Sequence, residues 1–159
     1  MSYAYGIHGG FTIANAVTIE NARSGSGNDV LTGNEAANSL SSGAGNDTLS
    51  GNGGNDVLIG GAGADIFSFL ADSDSNVGTG RDTISDFTRG SALIDLSALN
   101  ASRFIGSSLF TGTAGDVRYA AFDGTTIVEV DSNGDRIADF QVELDGISQL
   151  AIGDFLGVE

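Results

Sequence analysis

Large apolar residues recur every nine positions between residues 24 and 68, with small and polar residues between them. The recurring residues are Leu31, Leu40, Leu49, Leu58 and Phe67. Each lies in a run of three residues that follows six residues rich in Gly, Asn and Asp, a composition typical of tight turns because glycine tolerates positive φ. The pattern predicts very short strands joined by turns, with two units completing one coil. The apolar residues of alternate units should point inward from opposite walls.

Five such units follow one another without a gap, at residues 24–32, 33–41, 42–50, 51–59 and 60–68. Each approximates Gly-Gly-x-Gly-x-Asp-x-Leu-x. The sixth positions are Asp29, Asn38, Asp47, Asp56 and Asp65. If turns stack at the parallel-strand spacing of about 4.7–4.9 Å, these side chains form two columns. Two carboxylates separated by this distance repel each other by about 3–4 kcal/mol at an effective dielectric near 20. We therefore expect a cation between successive turns.

Calcium is the metal that suits this ligand set. The available ligands are carboxylates and backbone carbonyls, and the chain has no cysteine and one histidine, His8, which we expect to be exposed near a frayed end. A flexible glycine-rich linker is disfavoured, because a linker has no reason to repeat a leucine and an aspartate in register.

The nine-residue register extends beyond the five units in both directions. Upstream, a degenerate unit at 15–23 places Glu20 at the sixth position, in the same column as Asn38. Downstream, a unit at 69–77 places Asp74 at the sixth position, but its eighth residue is Asn76. The pattern therefore predicts that the coil ends near residue 76.

Composition limits the classes of partner. The chain has 159 residues, 21 acidic residues against 6 arginines, no lysine and a formal net charge of −15. Such a chain should repel nucleic acid and anionic membranes. With 25 glycines and one stripe of leucines, the repeat region should stay unfolded without cations. No apolar run reaches the length of a membrane span, and we expect a monomer.

After residue 76 the pattern changes to alternating strands. Strands are predicted at 82–87, 92–96, 117–122, 125–130 and 136–144, with a helical turn over 96–104. Asp123-Gly124 and Asn133-Gly134 are hairpin signals. The segment 147–156 has mixed spacing, which fits either a short helix or a final strand. We therefore divide the chain into residues 1–76, the repeat coil, and residues 77–159, an antiparallel β cap.

Two acidic residues and one acidic segment of the cap could either bind calcium or have only a structural role. Asp82 and Asp86 either close the last calcium site of the coil or are solvated strand residues. The run Asp131-Ser-Asn133-Gly-Asp135, with Asp139 beyond it, resembles the start of a calcium loop. A turn between two strands favours the same residues for conformational reasons, and that interpretation is preferred.

The chain resembles the C-terminal domain of serralysin-type secreted metalloproteases over nearly its whole length. The resemblance rests on 11–22 (FTIANAVTIENA), the nonapeptides, Gly63-Ala-Asp-Ile-Phe67, 82–87 (DTISDF) and 94–97 (IDLS). The nonapeptide is itself the known signature of the calcium-binding repeats-in-toxin (RTX) proteins. The resemblance implies an all-β fold, a right-handed parallel β-roll with about four or five calcium ions, capped by an antiparallel β-sandwich.

The resemblance also implies a ligand set. Calcium would be held by sixth-position side chains and by carbonyls of the turns: Glu20, Gly25, Gly27, Asp29, Ala36, Asn38, Gly43, Gly45, Asp47, Gly54, Asp56, Gly61, Gly63 and Asp65, with Asp82 as the candidate that closes the coil. Ala36 and Asn38 occupy a degenerate unit.

The protease activity of that family is not expected here. The zinc-binding His-Glu-x-x-His helix is absent from a chain with one histidine. A catalytic triad and a cysteine nucleophile are absent as well. The chain is expected to be a non-catalytic module. The alternative is a polysaccharide-binding module, as in secreted alginate epimerases, but a polyuronate requires a basic surface that six scattered arginines do not favour.

Export is expected to use information at the C-terminus. Residues 1–22 carry no Lys or Arg and no sustained apolar run, so they do not form a secretory signal peptide. The resemblance implies type I secretion through an ABC transporter that reads an uncleaved C-terminal signal, and an extracellular location.

Overall fold

The computed structural model describes residues 3–5, 11–12 and 20–159. The predictions for His8 and for most of the upstream unit lie outside the described residues. The described part contains fifteen strands and three short 3₁₀ helices, and it has no α-helix. No helix within it has the length and apolar character needed to cross a bilayer.

The strands form two sheets. The long sheet contains nine strands, in the spatial order β1 (Tyr3–Tyr5), β3 (Asn21–Arg23), β5 (Ser39–Ala44), β7 (Val57–Ala62), β9 (Asp82–Ile84), β14 (Phe140–Asp145), β13 (Thr125–Asp131), β12 (Asp116–Phe122) and β11 (Arg103–Phe104). The short sheet contains six strands, in the order β15 (Phe155–Leu156), β10 (Leu93–Asp95), β8 (Ile66–Ser68), β6 (Thr48–Ser50), β4 (Val30–Thr32) and β2 (Phe11–Thr12).

The chain alternates between the two sheets through the repeats, as a coil of two units per turn requires. Parallel pairing aligns Leu31 with Leu49 and Leu49 with Phe67 in the short sheet. In the long sheet it aligns Leu40 with Leu58. All five apolar repeat residues are buried, and they pack in one core. The predicted inward stripe and the all-β fold are therefore confirmed.

The coil continues for one turn beyond the predicted end. β9 pairs in parallel with β7, aligning Ile84 with Leu58, and β10 pairs with β8, aligning Ile94 with Phe67. The nine-residue spacing fails here because residues 69–81 form a longer connection containing two 3₁₀ helices, Asp72–Asp74 and Gly78–Gly80. Sequence periodicity does not detect a turn of the coil when the connection between its strands is longer than in the repeats.

The antiparallel strands of the cap extend the long sheet. β14 pairs in parallel with β9, and β12, β13 and β14 form an antiparallel meander. The Asp123-Gly124 hairpin is confirmed, with φ of 51° and 82° as a type I′ turn requires. β14 begins four residues later than predicted, because residues 132–139 form a loop closed on the Asp131 carboxylate.

The last five residues connect the two sheets. β15 pairs with β10 in the short sheet, and its Phe155 ring lies 5.3 Å from the ring of Phe104 in the long sheet. Beyond β15, Glu159 N–H donates to Ser102 O, and Phe104 N–H donates to Glu159 O. The segment predicted as a helix or a strand is a 3₁₀ helix, Ile152–Asp154, followed by this short strand.

Candidate metal centre

The glycine-rich turns stack at the two edges of the coil. The first column contains the turns at 24–29, 42–47 and 60–65, and the second contains those at 33–38 and 51–56. In both columns the seventh residue of one unit donates its N–H to the sixth-position carbonyl of the preceding coil, as from Thr48 to Asp29 and from Val57 to Asn38. Ser39 donates in the same way to Glu20 O. Glu20 therefore occupies a sixth position in the second column, where the register placed it.

Sixth-position carboxylates connect successive turns through their Oδ1 atoms. In the first column, Asp29 N–H donates to Asp47 Oδ1 at 2.8 Å, and Asp47 N–H donates to Asp65 Oδ1 at 3.0 Å. In the second, Asn38 N–H donates to Asp56 Oδ1 at 2.7 Å. Each of these carboxylates thus projects into the gap between its own turn and the preceding one.

The second oxygen of several carboxylates has no partner. Asp47 Oδ2, Asp56 Oδ2 and Asp82 Oδ2 are buried and accept no hydrogen bond, although their residues are at most 1% exposed. A buried carboxylate without a partner costs several kcal/mol unless a counter-charge is present. The three carboxylates lie in three different gaps, and in each gap a divalent cation would supply the missing counter-charge.

Backbone carbonyls approach the same gaps closely. In the first column, a Cβ atom at Gly43 would overlap Gly25 O in the preceding turn, and one at Gly61 would overlap Gly43 O. In the same way, a Cβ atom at Gly45 would overlap Gly27 O, and one at Gly63 would overlap Gly45 O. All four of these stacked glycines have positive φ. Only glycine allows turns to stack this closely, and the close stacking lines up backbone carbonyl oxygens, which are hard ligands, along the column.

Burial raises the pKa of Asp56, Asp65 and Asp82. The pKa of Asp56 is raised to about 7 and that of Asp82 to about 8, mainly because the groups are buried, with the negative charge of Asp74 acting in the same direction. The pKa of Asp65 is also raised, by burial and then by the charges of Asp47 and Asp86. These shifts express mainly the cost of burying a negative charge, with a smaller contribution from the neighbouring carboxylates.

Asp82 extends the second column although it comes 26 residues after Asp56. Asp56 N–H donates to Asp82 Oδ1 at 2.8 Å, repeating the bond that Asn38 makes to Asp56. Asp82 is 0% exposed, so the solvated interpretation is wrong for this residue. Its own N–H donates to Ser75 Oγ, which ends the column.

Asp74 and two asparagines are parts of the site that sequence reasoning missed. Asp74 is buried beside Ser75, and its Oδ2 accepts from Leu70 N–H and Ala71 N–H. Along the first column, Asn46 N–H donates to Asn28 Oδ1 and Ala64 N–H donates to Asn46 Oδ1, both at 2.9 Å. The repeated Gly-Asn-Asp triplet was the available signal for this ladder.

The second column is less tightly stacked at the fourth position of its degenerate unit, Ala36. A Cβ atom at Gly54 would lie 2.9 Å from Ala36 O, a looser approach than any in the first column. Asn38 Oδ1 accepts from Asn34 N–H at 2.9 Å, which closes its own turn. Among the described residues, no three His, Cys, Asp or Glu side chains are arranged to hold a metal by themselves. A cation between the turns would need the carbonyls as well.

Comparison with known proteins identifies the family. The family described as Peptidase M10 serralysin C terminal matches residues 1–156. This chain belongs to that family. It corresponds to the C-terminal, non-catalytic domain of serralysin-type proteases, as the resemblance predicted.

Relatives of this serralysin C-terminal chain are longer proteins. It is 52% identical over 156 residues to metallopeptidase AprA of Pseudomonas marginalis, which covers 95% of this chain and 32% of that protein. It is 47% identical over 151 residues to serralysin of Photorhabdus luminescens, covering 89% of this chain and 30% of that protein. The chain therefore spans about a third of the length of these relatives.

Two solved structures share the fold. The R3 subunit of the AlgE6 mannuronan C5-epimerase from Azotobacter vinelandii aligns with a TM-score of 0.64 and 30% identity, covering 96% of this chain and 84% of the subunit. The R2 subunit of the same enzyme aligns with a TM-score of 0.57 and 28% identity, covering 90% of this chain and 94% of that subunit.

The remaining acidic candidates of this serralysin C-terminal chain have structural partners. Asp86 accepts from Gly60 N–H and Gly61 N–H at 2.9 and 2.7 Å, and so holds the turn at 60–65. Asp131 accepts from the N–H groups of Gly134, Asp135 and Arg136. This bonding is that of a carboxylate-closed turn, the interpretation that the sequence favoured.

Proposed function

We propose that this chain is a non-catalytic calcium-binding module that folds when calcium fills the gaps between its stacked turns. The observation that carries the proposal is the set of buried, partnerless Oδ2 atoms of Asp47, Asp56 and Asp82 between the turns. The ligands are the sixth-position side chains from Glu20 to Asp82 and the carbonyls of the turns. About four or five ions fit the number of gaps.

Calcium binding of this kind would supply much of the folding free energy. If each site has a dissociation constant near 10⁻⁴ M, as in extracellular modules, millimolar calcium adds about 1.4 kcal/mol per ion. Four or five ions then contribute about 6–7 kcal/mol, which is comparable with the whole stability of a small domain.

Calcium titration of chelator-treated protein tests the proposal. Far-UV circular dichroism should show a cooperative gain of β signal, and calorimetry should count about four or five ions. Asp47→Asn should raise the calcium midpoint, because Asp47 contacts the turns on both sides. Asp123→Asn is the matched control, since Asp123 lies at an exposed hairpin tip and asparagine tolerates its positive φ. A β signal indifferent to chelator would refute the proposal.

The same chemistry supports export through a type I system followed by folding outside the cell. An acidic, glycine-rich chain stays unfolded where calcium is scarce and can be threaded through a channel. Millimolar calcium outside then drives folding, which opposes backward movement. The exported protein is either this chain alone or a longer protease that contains it. In both cases the secretion signal is proposed to lie within residues 87–159.

Secretion of a fusion protein tests the export proposal. A reporter placed ahead of residues 87–159 should be secreted by cells that carry a matching ABC transporter, and removal of 147–159 should abolish secretion. The same fusion in cells without the transporter is the control. Unchanged secretion after the deletion would contradict a C-terminal signal.

Polysaccharide binding is the second candidate, and the likeness to mannuronan epimerase subunits is the observation that favours it. The charge distribution opposes it. Among the described residues, four arginines form ion pairs, namely Arg81–Glu143, Arg89–Asp154, Arg103–Asp116 and Arg118–Glu129. Little positive charge is left for a polyuronate, so a polyuronate resin with calcium should not retain the protein.

A further inference from the structure

Glu35 is an unusual residue in the repeat coil. It stands at the third position of the degenerate unit, and the third positions of the other four units are small: Ser26, Ala44, Gly53 and Ala62. A charged residue at this point is not needed for the turn, which the hydrogen bonds of Asn34 and Asn38 already close.

The Glu35 side chain reaches across the gap to the next turn of its column. A Cβ atom at Gly53 would lie 2.6 Å from Glu35 Oε2. Gly53 does not have a positive φ, so its backbone conformation would accept an alanine. The absence of a side chain at residue 53 therefore leaves room for the Glu35 carboxylate rather than relieving backbone strain.

The gap that Glu35 spans has one sixth-position carboxylate fewer than the gaps of the first column. It lies between the turns at 33–38 and 51–56, with neutral Asn38 on one side and Asp56 on the other. Asp56 Oδ2 is buried and partnerless in this gap. The corresponding gaps of the first column have aspartates on both sides, at residues 29 and 47 and at residues 47 and 65.

We propose that Glu35 supplies the second carboxylate for the calcium ion held between the turns at 33–38 and 51–56, replacing the aspartate that the degenerate unit lacks. The inference rests on the proposed calcium-binding function. Glu35 acts from the solvent-exposed rim of the gap, opposite the buried Asp56, and Gly53 is required for it to reach. The degenerate unit thus keeps a calcium site by moving one negative charge from the sixth position to the third.

Calorimetric calcium titration of Glu35→Gln tests the inference. We expect the free calcium needed to fill one of the ions to rise about tenfold, because calcium affinity follows the number of charged ligands. Asp123→Asn, which removes one exposed negative charge far from the turns, should bind like the wild type. Gly53→Ala, which blocks the approach of Glu35, should weaken the same ion, and the double variant should be no weaker than the weaker single variant.

The outcomes separate this inference from the proposed function. A wild-type protein that binds no calcium overturns both. A wild type that binds several ions, with Glu35→Gln identical to it, overturns only the assignment of Glu35. Suppose that Glu35→Gln and Asp123→Asn change the calcium affinity equally, and that both changes vanish in about 0.5 M KCl, where long-range electrostatic interactions are screened. The effect is then one of overall charge, and the assignment of Glu35 is overturned. Far-UV circular dichroism at saturating calcium checks that each variant is folded.

Discussion

At the scale of single residues, the buried carboxyl groups oppose folding when they are ionised. The pKa values of Asp56 and Asp82 are raised to about 7 and about 8 in the fold, mainly by burial. In the unfolded chain an aspartate titrates near 3.9. Between these values the ion-free fold binds more protons than the unfolded chain does, so its stability falls as the pH rises through this window.

Acid should therefore partly replace calcium. In the presence of a chelator, lowering the pH from 8 to 5 should increase the melting temperature of the ion-free protein or its far-UV circular dichroism signal for β structure. Asp82→Asn should stabilise the ion-free protein at pH 8, because the neutral amide resembles the protonated carboxyl, and should weaken the response to calcium. Thermal melts with and without calcium measure both effects. A variant that is less stable than the wild type in chelator at pH 8 would contradict the charge argument.

At the scale of the elements, the turns depend on glycine for two separable reasons. Gly61 and Gly78 have nearly equal positive φ, 89° and 86°. A Cβ atom at Gly61 would overlap Gly43 O in the stacked turn, whereas a Cβ atom at Gly78 would have no atom within 4 Å. The pair separates the cost of the backbone conformation from the cost of disturbing the stack.

Gly61→Ala should be the more damaging substitution. Gly78→Ala should cost about 1 kcal/mol, the usual penalty for a non-glycine residue in this region. Gly61→Ala should cost about 2 kcal/mol more, because the turns must separate and a carbonyl leaves the cation gap. Urea unfolding at saturating calcium measures the difference. Equal losses for the two variants would show that the turns are not stacked this closely.

At the scale of the whole molecule, the coil and the cap share both sheets. β9 lies between coil strand β7 and cap strand β14, and the ring of Phe69 packs 5.0 Å from that of Phe140. The core is one cluster that runs from Ala22 to Phe155. On the proposed function, calcium bound in the turns would therefore stabilise an edge on which the cap strands are built.

Removal of calcium should unfold the cap together with the coil. Tyr119 in β12 reports on the cap, since it stacks on Phe104 with 6.2 Å between ring centroids. In a variant with Tyr3→Phe and Tyr5→Phe, Tyr119 is the one tyrosine of the chain, which has no tryptophan. Its fluorescence should change at the same calcium concentration as the far-UV signal. Two separate midpoints would show that the cap folds independently.

The repeat coil and its two columns could be predicted from the amino-acid sequence alone. A period of nine that carries one leucine and one aspartate can bury the leucines and stack the turns in a single register. Leu31, Leu49 and Phe67 align as the spacing predicts, and Asp29, Asp47 and Asp65 are joined by backbone hydrogen bonds. The identity of the family also followed from local motifs.

The end of the coil and the charges that line its gaps depend instead on packing in the folded chain. Asp82 joins the second column across a connection of changed length, and Asp74 becomes its neighbour although the nine-residue register gave it another role. Glu35 reaches Gly53 because residues 18 positions apart lie one above the other. These contacts depend on distances across the fold, and periodicity measures distance along the chain. Where the repeat is regular, distance along the chain predicts distance in the fold. Where the length or composition of the repeat changes, the contacts depend on packing alone.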